Sequence, residues 1–310
     1  SITLNTAAPD APTLSASDDV GSVQGPIAPN SSTDDARPSF SGTAEPGSTV
    51  RLYDNGQLLG TTSANPVTGA WHFTPDSDLA EGGHSITTQA TNPLGNTSAQ
   101  SAPLAFTVDT TAPAAPTTAP DMTAATDTGA DDATQPNNAN NADNLTKDST
   151  PDFNIGTLPA GTTPVLLVDG AQVPATVTTD ANGNTVLTPT TALTDGAHNI
   201  SYAYTDPAGN TSAASPALAV SIDTGAPAAP AAALAVASNS GLTTDNITSD
   251  NTPTITGTGA TPGNTITLYQ PDGTTVLGTA VVAANGSWSI TPANADALAD
   301  GTQNLKVSAT

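Results

Sequence analysis

The sequence predicts an all-β chain of three tandem immunoglobulin-like β-sandwiches in an extended rod, and three observations predict it. A joint recurs as LNTAAPDAP (4–12), VDTTAPAAP (108–116) and IDTGAPAAP (222–230), at intervals a little over a hundred residues long. Between the joints, polar and apolar residues alternate in TVRLY, TITLY, HNISYAY and QNLKVSA, the period-two signature of strands with one buried face, and helix-period stripes are missing. Asn55-Gly56, Asp169-Gly170 and Asp272-Gly273 sit between such runs, where a tight hairpin needs positive φ.

With the joints as boundaries, residues 1–9 are the tail of a preceding repeat and its linker. The first repeat is 10–109, the second 110–223 and the third 224–310, which stops about one strand early. Landmarks keep their order within each repeat. RPSFSGTAEPGSTVRLYDNG answers to TPDFNIGTLPAGTTPVLLVDG and TPTITGTGATPGNTITLYQPDG, so Pro38, Pro151 and Pro253 are equivalent. Further on, EGGHSITTQATNPLGNTS answers to DGAHNISYAYTDPAGNTS and to the closing DGTQNLKVSAT. Strands of the first repeat are expected near 12–17, 38–44, 49–54, 57–63, 70–74, 84–91 and 101–108. Seven short strands in about a hundred residues suit an immunoglobulin-like sandwich.

Composition narrows the function. The chain has 310 residues with 4 basic and 28 acidic side chains, a formal net charge of −24, and no cysteine. A field of that sign repels nucleic acid and anionic membranes and draws in divalent cations. Without cysteine the domains need some staple other than disulfides, and bound metal is one candidate. The longest apolar run, AAALAVA (231–237), falls far short of the roughly 20 residues that span a bilayer, so no membrane insertion is expected. No signal peptide is visible, and SITLN at the start reads as the tail of another repeat, so the sequence is expected to begin mid-protein.

TAEPGSTVRLYDNG, DNITSDNTPTITGT, DPAGNTS and VDTTAP together resemble the bacterial Ig-like repeats of giant non-fimbrial adhesins exported by type I secretion, of the SiiE and BapA kind. The resemblance covers nearly the whole chain. It implies a cell-surface or released fibre of many tandem sandwiches, calcium-dependent, whose end is attachment to a host cell or an abiotic surface through other parts of the protein, and so a role in virulence. Two departures stand out: an Asn- and Asp-rich insertion in the second repeat (130–142), and GNTVLTP in the place of GAWHFTP and GSWSITP.

The linker keeps an aspartate, Asp109 and Asp223, where stiffness alone asks for none; Asn5 stands there in the first joint. In such a sandwich the long loop between the first two strands returns near the exit of its own domain, so its acids approach the one that ends the last strand. DNLTKDSTP (143–151) and DNITSDNTP (245–253) close that loop with matched spacing, aligning Asp143 with Asp245 and Asp148 with Asp250; the first repeat has Asn30 and Asp35 there. Asp19 and Asp127 open a looser D-x-G match, with Asn239 third. The following domain brings DPAGN, with Asp206 and Asn210. Calcium takes about 6–8 oxygens, and Asp109, Asp35, Asp34 or Asp19 with Asp206 or Asn210 supply such a set. Zinc finds no cysteine and no clustered histidine. Asp and Asn also build turns by bonding nearby amides, so a single DPAGN loop reads first as a turn. The recurrence of Asp109/Asp223 and of Asp35/Asp148/Asp250 favours Ca2+.

Other candidates carry less. His84 and His198 share a position that Gln303 fills in the third repeat, which speaks against catalysis and for a strand-edge residue. Trp71 and Trp288 match one another while Thr185 replaces them, which suits core packing. The expectation is a non-enzymatic, monomeric, secreted or surface spacer whose partners are its flanking repeats. The alternative is a receptor- or glycan-binding Ig-like module, with the insertion of the second repeat as its only distinctive surface. Paired acids of a glycosidase would need a cleft.

Overall fold

A computed structural model of the chain describes residues 6–128, 144–240, 242 and 244–310. Apart from two single-turn 3-10 helices, Val236–Ser238 and Asn294–Asp296, every regular element among the described residues is a β-strand. The chain divides into two compact units: Ser1–Asp121, Phe153–Thr191 and Asn199–Leu218 form one, and Met122–Asp152, Ala192–His198 and Ala219–Thr310 the other.

In the first unit, the first repeat supplies β1 (Ser15–Asp18), β2 (Gly25–Pro26), β3 (Ser32–Thr33), β4 (Ser39–Thr43), β5 (Thr49–Asp54), β6 (Gln57–Ser63), β7 (Ala70–Phe73), β8 (Gly82–Thr91) and β9 (Leu104–Val108). They form two sheets, β2-β1-β4-β7 and β3-β9-β8-β5-β6. Alternation sends Ala16, Phe40 and Trp71 from one sheet and Val50, Leu52, Ile86, Phe106 and Val108 from the other into one core. Each large side chain so buried contributes about 1.5–3 kcal/mol. The β5–β6 hairpin turns on Asn55 (φ 48°) and Gly56 (φ 81°), with Asp54 opposite Gln57. The two-residue strands β2 and β3 lie in the long loop that the sequence leaves unassigned. β3 pairs in parallel with β9, Ser32 opposite Thr107, and so brings that loop to the exit of its own domain.

The second repeat supplies β10 (Asp121–Met122), β11 (Leu145–Thr146), β12 (Phe153–Asn154), β13 (Thr163–Val168), β14 (Ala171–Val173), β15 (Ala175–Thr179), β16 (Thr185–Pro189), β17 (Gly196–Thr205) and β18 (Leu218–Ile222). Within the first unit, β16 lies between β12 and β15, and β13 between β14 and β17. Phe153, Leu166, Leu187, Ile200 and Tyr202 are buried there. Within the second unit, β11 pairs in parallel with β18 as β3 does with β9.

The third repeat, in the second unit, supplies β19 (Ala233–Leu234), β20 (Ile255–Gly257), β21 (Thr265–Tyr269), β22 (Val276–Val281), β23 (Trp288–Ile290) and β24 (Lys306–Ala309). Its sheets are β19-β20-β23 and β22-β21-β24, over a core of Ile255, Ile266, Leu268, Trp288 and Ile290. The hairpin expected at Asp272-Gly273 is longer than its two counterparts. Among Asp272 and Gly273 only the glycine is left-handed (φ 75°), because Asp272 caps the turn instead, its Oδ1 accepting the N–H groups of Thr274 and Thr275 at 2.8 and 2.9 Å.

Candidate cation site at the joint after the first repeat

Strand alternation and loop closure gather four carboxylates in the first repeat. On β1, Ala16 and Asp18 face inward while Ser15 does not, so Asp18 is carried into the domain end and is 7% exposed. Its Oδ1 accepts the N–H of Val20 at 2.9 Å, and its Oδ2 accepts the hydroxyl of buried Thr33. Thr33 leads directly into Asp34 and Asp35. Asp35 is 2% exposed; its Oδ1 accepts the N–H of Arg37 at 2.7 Å, and its Oδ2 has no well-formed hydrogen bond, though the Asp19 amide is near enough to favour its charge. Asp34 has an unpartnered buried oxygen as well, Oδ1. Its Oδ2 lies over left-handed Gly21 (φ 64°), where a Cβ would come within 1.9 Å, so only glycine leaves room for that carboxylate. Asp19 stays exposed at the rim.

The electrostatics follow from this crowding. Burial first, and then the charge of Asp18, pushes the Asp34 carboxyl above its ordinary value, with Asp35 adding to it. Burial likewise raises Asp35; the amides of Arg37 and Asp19 pull it part of the way back, and the charges of Asp18 and Asp19 push it up again. Unpartnered buried carboxylate oxygens are costly; protonation or a hard divalent cation would each relieve that cost. Among the described residues no three Asp, Glu or His side chains close on one point as a ready-made cage. A calcium ion here would therefore draw further oxygens from carbonyls and water.

The joint beside this cluster is tied to the next repeat. The N–H of Asp109 donates to the Thr33 carbonyl at 2.9 Å, and Asn210 Nδ2 donates to the Asp109 carbonyl at 2.7 Å. Ser22 Oγ donates to the Gly209 carbonyl at 3.1 Å, and Val23 packs where a Cβ on Gly209 would stand. Asp206 works inside its own loop: Oδ1 accepts the N–H groups of Ala208, Gly209 and Asn210, and Oδ2 accepts from Asn210 Nδ2. Its turn role is thus met in full, and Asn210 rather than Asp206 reaches the joint.

Apart from Asp127, the carboxylates of the remaining described residues singled out in the sequence are engaged in local turns. Asp109 is half-buried, its Oδ1 accepting the Thr111 N–H at 3.2 Å. Asp223 is exposed, with Oδ1 accepting the Gly225 N–H at 2.9 Å. Asp148 and Asp250 each accept the N–H of the residue two places on, Thr150 at 2.8 Å and Thr252 at 2.9 Å, as Asp35 does with Arg37. Asp127 is 1% exposed and its Oδ2 accepts the Asn144 N–H at 3.3 Å. Asp143 lies outside the described residues, as does the insertion of the second repeat.

Two features escaped the sequence reading. The D-x-G match singled out Asp19, whereas the inward acid is Asp18; continuing the alternation past Ala16 would have found it. His84 is buried rather than at a strand edge. Its Nδ1 lies 2.7 Å from Asp54 Oδ2, its Nε2–H reaches the Ala80 carbonyl at 2.7 Å, and its ring stacks on Phe106. The signal was a paired exchange: where Gln303 replaces His84, Gln270 replaces Asp54, and Gln303 Nε2 donates to the Ala299 carbonyl at 2.9 Å in the same way. Trp71 and Trp288 are each 4% exposed core residues.

A sequence profile described as a bacterial Ig-like domain matches residues 6–110, 114–224 and 226–310. No curated protein sequence matches the chain. Among solved structures, the fibronectin(III)-like modules of Clostridium thermocellum CbhA are 13% identical, cover 63% of this chain and 90% of their own, and give a TM-score of 0.37. A structure concerned with host cell surface retention of a 1.5-MDa bacterial ice-binding adhesin is 19% identical, covers 88% of each chain and gives 0.28. The BSP domain of a biofilm associated protein is 12% identical, covers 100% of this chain and 65% of its own, and gives 0.21. At these scores the likenesses carry nothing about function.

Proposed function

The chain belongs to the bacterial Ig-like domain family in each of its three repeats, and from that premise we propose that it is a structural spacer segment of a bacterial surface adhesin, stiffened by calcium at its joints. The observation that carries this reading is the pair of unpartnered buried oxygens, Asp34 Oδ1 and Asp35 Oδ2, beside a joint that Asn210 ties to the next repeat. Asp18, Asp34 and Asp35 would hold the ion, with Asp19 at the rim and Asp109 at the joint. Bound calcium supplies positive charge and hard coordination, and no bond is made or broken. With the ion gone, the same carboxylates repel one another and loosen the Thr33–Asp109 link on which the joint rests.

Extracellular modules bind calcium at about 10⁻⁴–10⁻³ M, so the site stays empty inside a cell and fills after export. The words of the sequence that resemble type I-secreted adhesins point to the same itinerary, to the bacterial surface or the medium. Among the described residues no helix is long and apolar enough to cross a membrane. The Pro-Ala linkers favour extended backbone and would leave the ion to fix the angle between neighbours, drawing the repeats into a rod.

Calorimetric titration with calcium, paired with small-angle scattering in calcium and in chelator, tests the proposal. Heat of binding and a narrower distribution of interdomain distances in calcium are expected. No heat and superimposable scattering curves would overturn it.

A further inference from the structure

We propose that Glu81 and Asp195 act as clamps, each fastening the threonine after a linker aspartate to the body of its own repeat, so that the path by which the chain leaves the repeat is set without calcium. The clamp starts from a short loop that recurs as AEGGH (80–84), TDGAH (194–198) and ADGTQ (299–303). In each copy the last side chain donates back to the carbonyl of the first residue: His84 to Ala80 at 2.7 Å, His198 to Thr194 at 2.8 Å and Gln303 to Ala299 at 2.9 Å. The glycine between them has a φ of 115° at Gly82, 128° at Gly196 and 118° at Gly301, which any side chain would strain. A loop closed this way leaves its second residue, an acid in all three copies, exposed.

Two of these acids are engaged all the same. Glu81 Oε1 accepts the N–H of Thr110 at 2.9 Å, the Thr110 hydroxyl, and the Thr111 hydroxyl at 3.4 Å. Asp195 Oδ1 accepts the N–H of Thr224 at 3.0 Å and its hydroxyl at 2.8 Å. Thr110 and Thr224 follow Asp109 and Asp223 directly, and each clamp lies within one compact unit. Two donors from one residue on one oxygen fix its backbone and side chain together, and bonds to a charged acceptor are roughly twice as strong as neutral ones. The Thr110 hydroxyl and then its amide hold the Glu81 carboxyl below its ordinary value, and the Thr224 amide and then its hydroxyl do the same for Asp195. Both clamps are therefore charged at neutral pH.

At the joint after the first repeat, Asp109 is tied to its own repeat through the Thr33 carbonyl and to the next through Asn210. Glu81 adds the following residue to that grip, so free rotation of the linker begins beyond Thr110. None of these contacts uses the carboxylates of Asp18, Asp34 or Asp35. The clamp stands without an ion there, and a test made in chelator does not depend on the calcium reading.

Amide exchange of the full chain in chelator provides that test, with each clamp as the control for the other. Glu81→Ala should speed exchange at Thr110 about tenfold and leave Thr224 as in the parent; Asp195→Ala should do the reverse. Both acids are exposed, so neither change should alter the circular dichroism. The chain has no cysteine, so spin labels on Val67→Cys and Val177→Cys, both exposed, report the spread of distances between the first two repeats. Glu81→Ala should widen that spread in chelator, and calcium added afterwards should leave Thr110 fast. Unaltered exchange at Thr110, an equal loss of protection at Thr224, a spread no wider, or protection of Thr110 regained with calcium would each overturn the proposal.

Discussion

The loop that carries Thr33, Asp34 and Asp35 and the loop that carries Thr146, Lys147 and Asp148 are built alike but differ in charge at their middle position. In both, the threonine hydroxyl donates inward, to the Asp18 carboxylate in the first repeat and to the Thr126 carbonyl in the second. In both, the aspartate oxygen accepts the N–H of the residue two places on. The third repeat does the same with Thr248, Ser238 and Asp250. What recurs is therefore a turn. What singles out the first repeat is the company that turn keeps: Asp18 in place of a carbonyl, and Asp34 in place of a lysine. A recurring acid reports the loop's geometry, and its neighbours report whether the loop has charge to share with a cation.

Breaking the first cluster should have the largest effect. Asp34→Asn with Asp35→Asn keeps every oxygen that caps the turn while removing both charges; calorimetry should find calcium affinity at the joint after the first repeat lowered roughly a hundredfold, about 2.7 kcal/mol. Thr33→Val leaves the buried Asp18 without its hydroxyl partner and should destabilise the chain by about 2 kcal/mol, whereas Thr146→Val loses a neutral hydrogen bond worth about 1 kcal/mol. Paired thermal melts of the two variants check this; equal losses would erase the distinction drawn between the loops. Lys147→Asp gives the second loop the sign of the first and should tighten calcium binding there about tenfold, about 1.4 kcal/mol.

Acidity offers the mildest test. Asp34 and Asp35 sit above 3.8 in the folded chain, so their protonated forms favour folding. That contribution is present below 3.8 and is lost as pH rises through the raised folded values. In chelator, the stability gained by the Asn pair over the parent should grow as pH climbs out of that window and then level off. A gap that shrinks with rising pH would reverse the sign of the cluster.

Much of this was legible beforehand. Strands β5 and β6 were bounded by alternation on either side of Asn55-Gly56, and Asp35 was marked by its spacing from Pro38. The remainder depends on pairings remote in sequence. β3 exists because Ser32 meets Thr107, and nothing within a two-residue segment announces that. Asp18 was hidden by an equally acidic neighbour, and only the direction of the strand separates the two. Asp206 caps its own turn with three amides on Oδ1, and a string of letters shows such an acid no differently from a coordinating one.

Asn210 grips the main-chain oxygen of Asp109, leaving the side chain at that position out of the clasp. Any residue can offer that oxygen, so this tie would survive a change of side chain that abolished an ionic one. If calcium does stiffen the joints, one with an amide in place of the acid, as the sequence has at Asn5, would give up responsiveness to the medium while still offering its main-chain oxygen, and a string of such repeats would mix compliant and stiffening links.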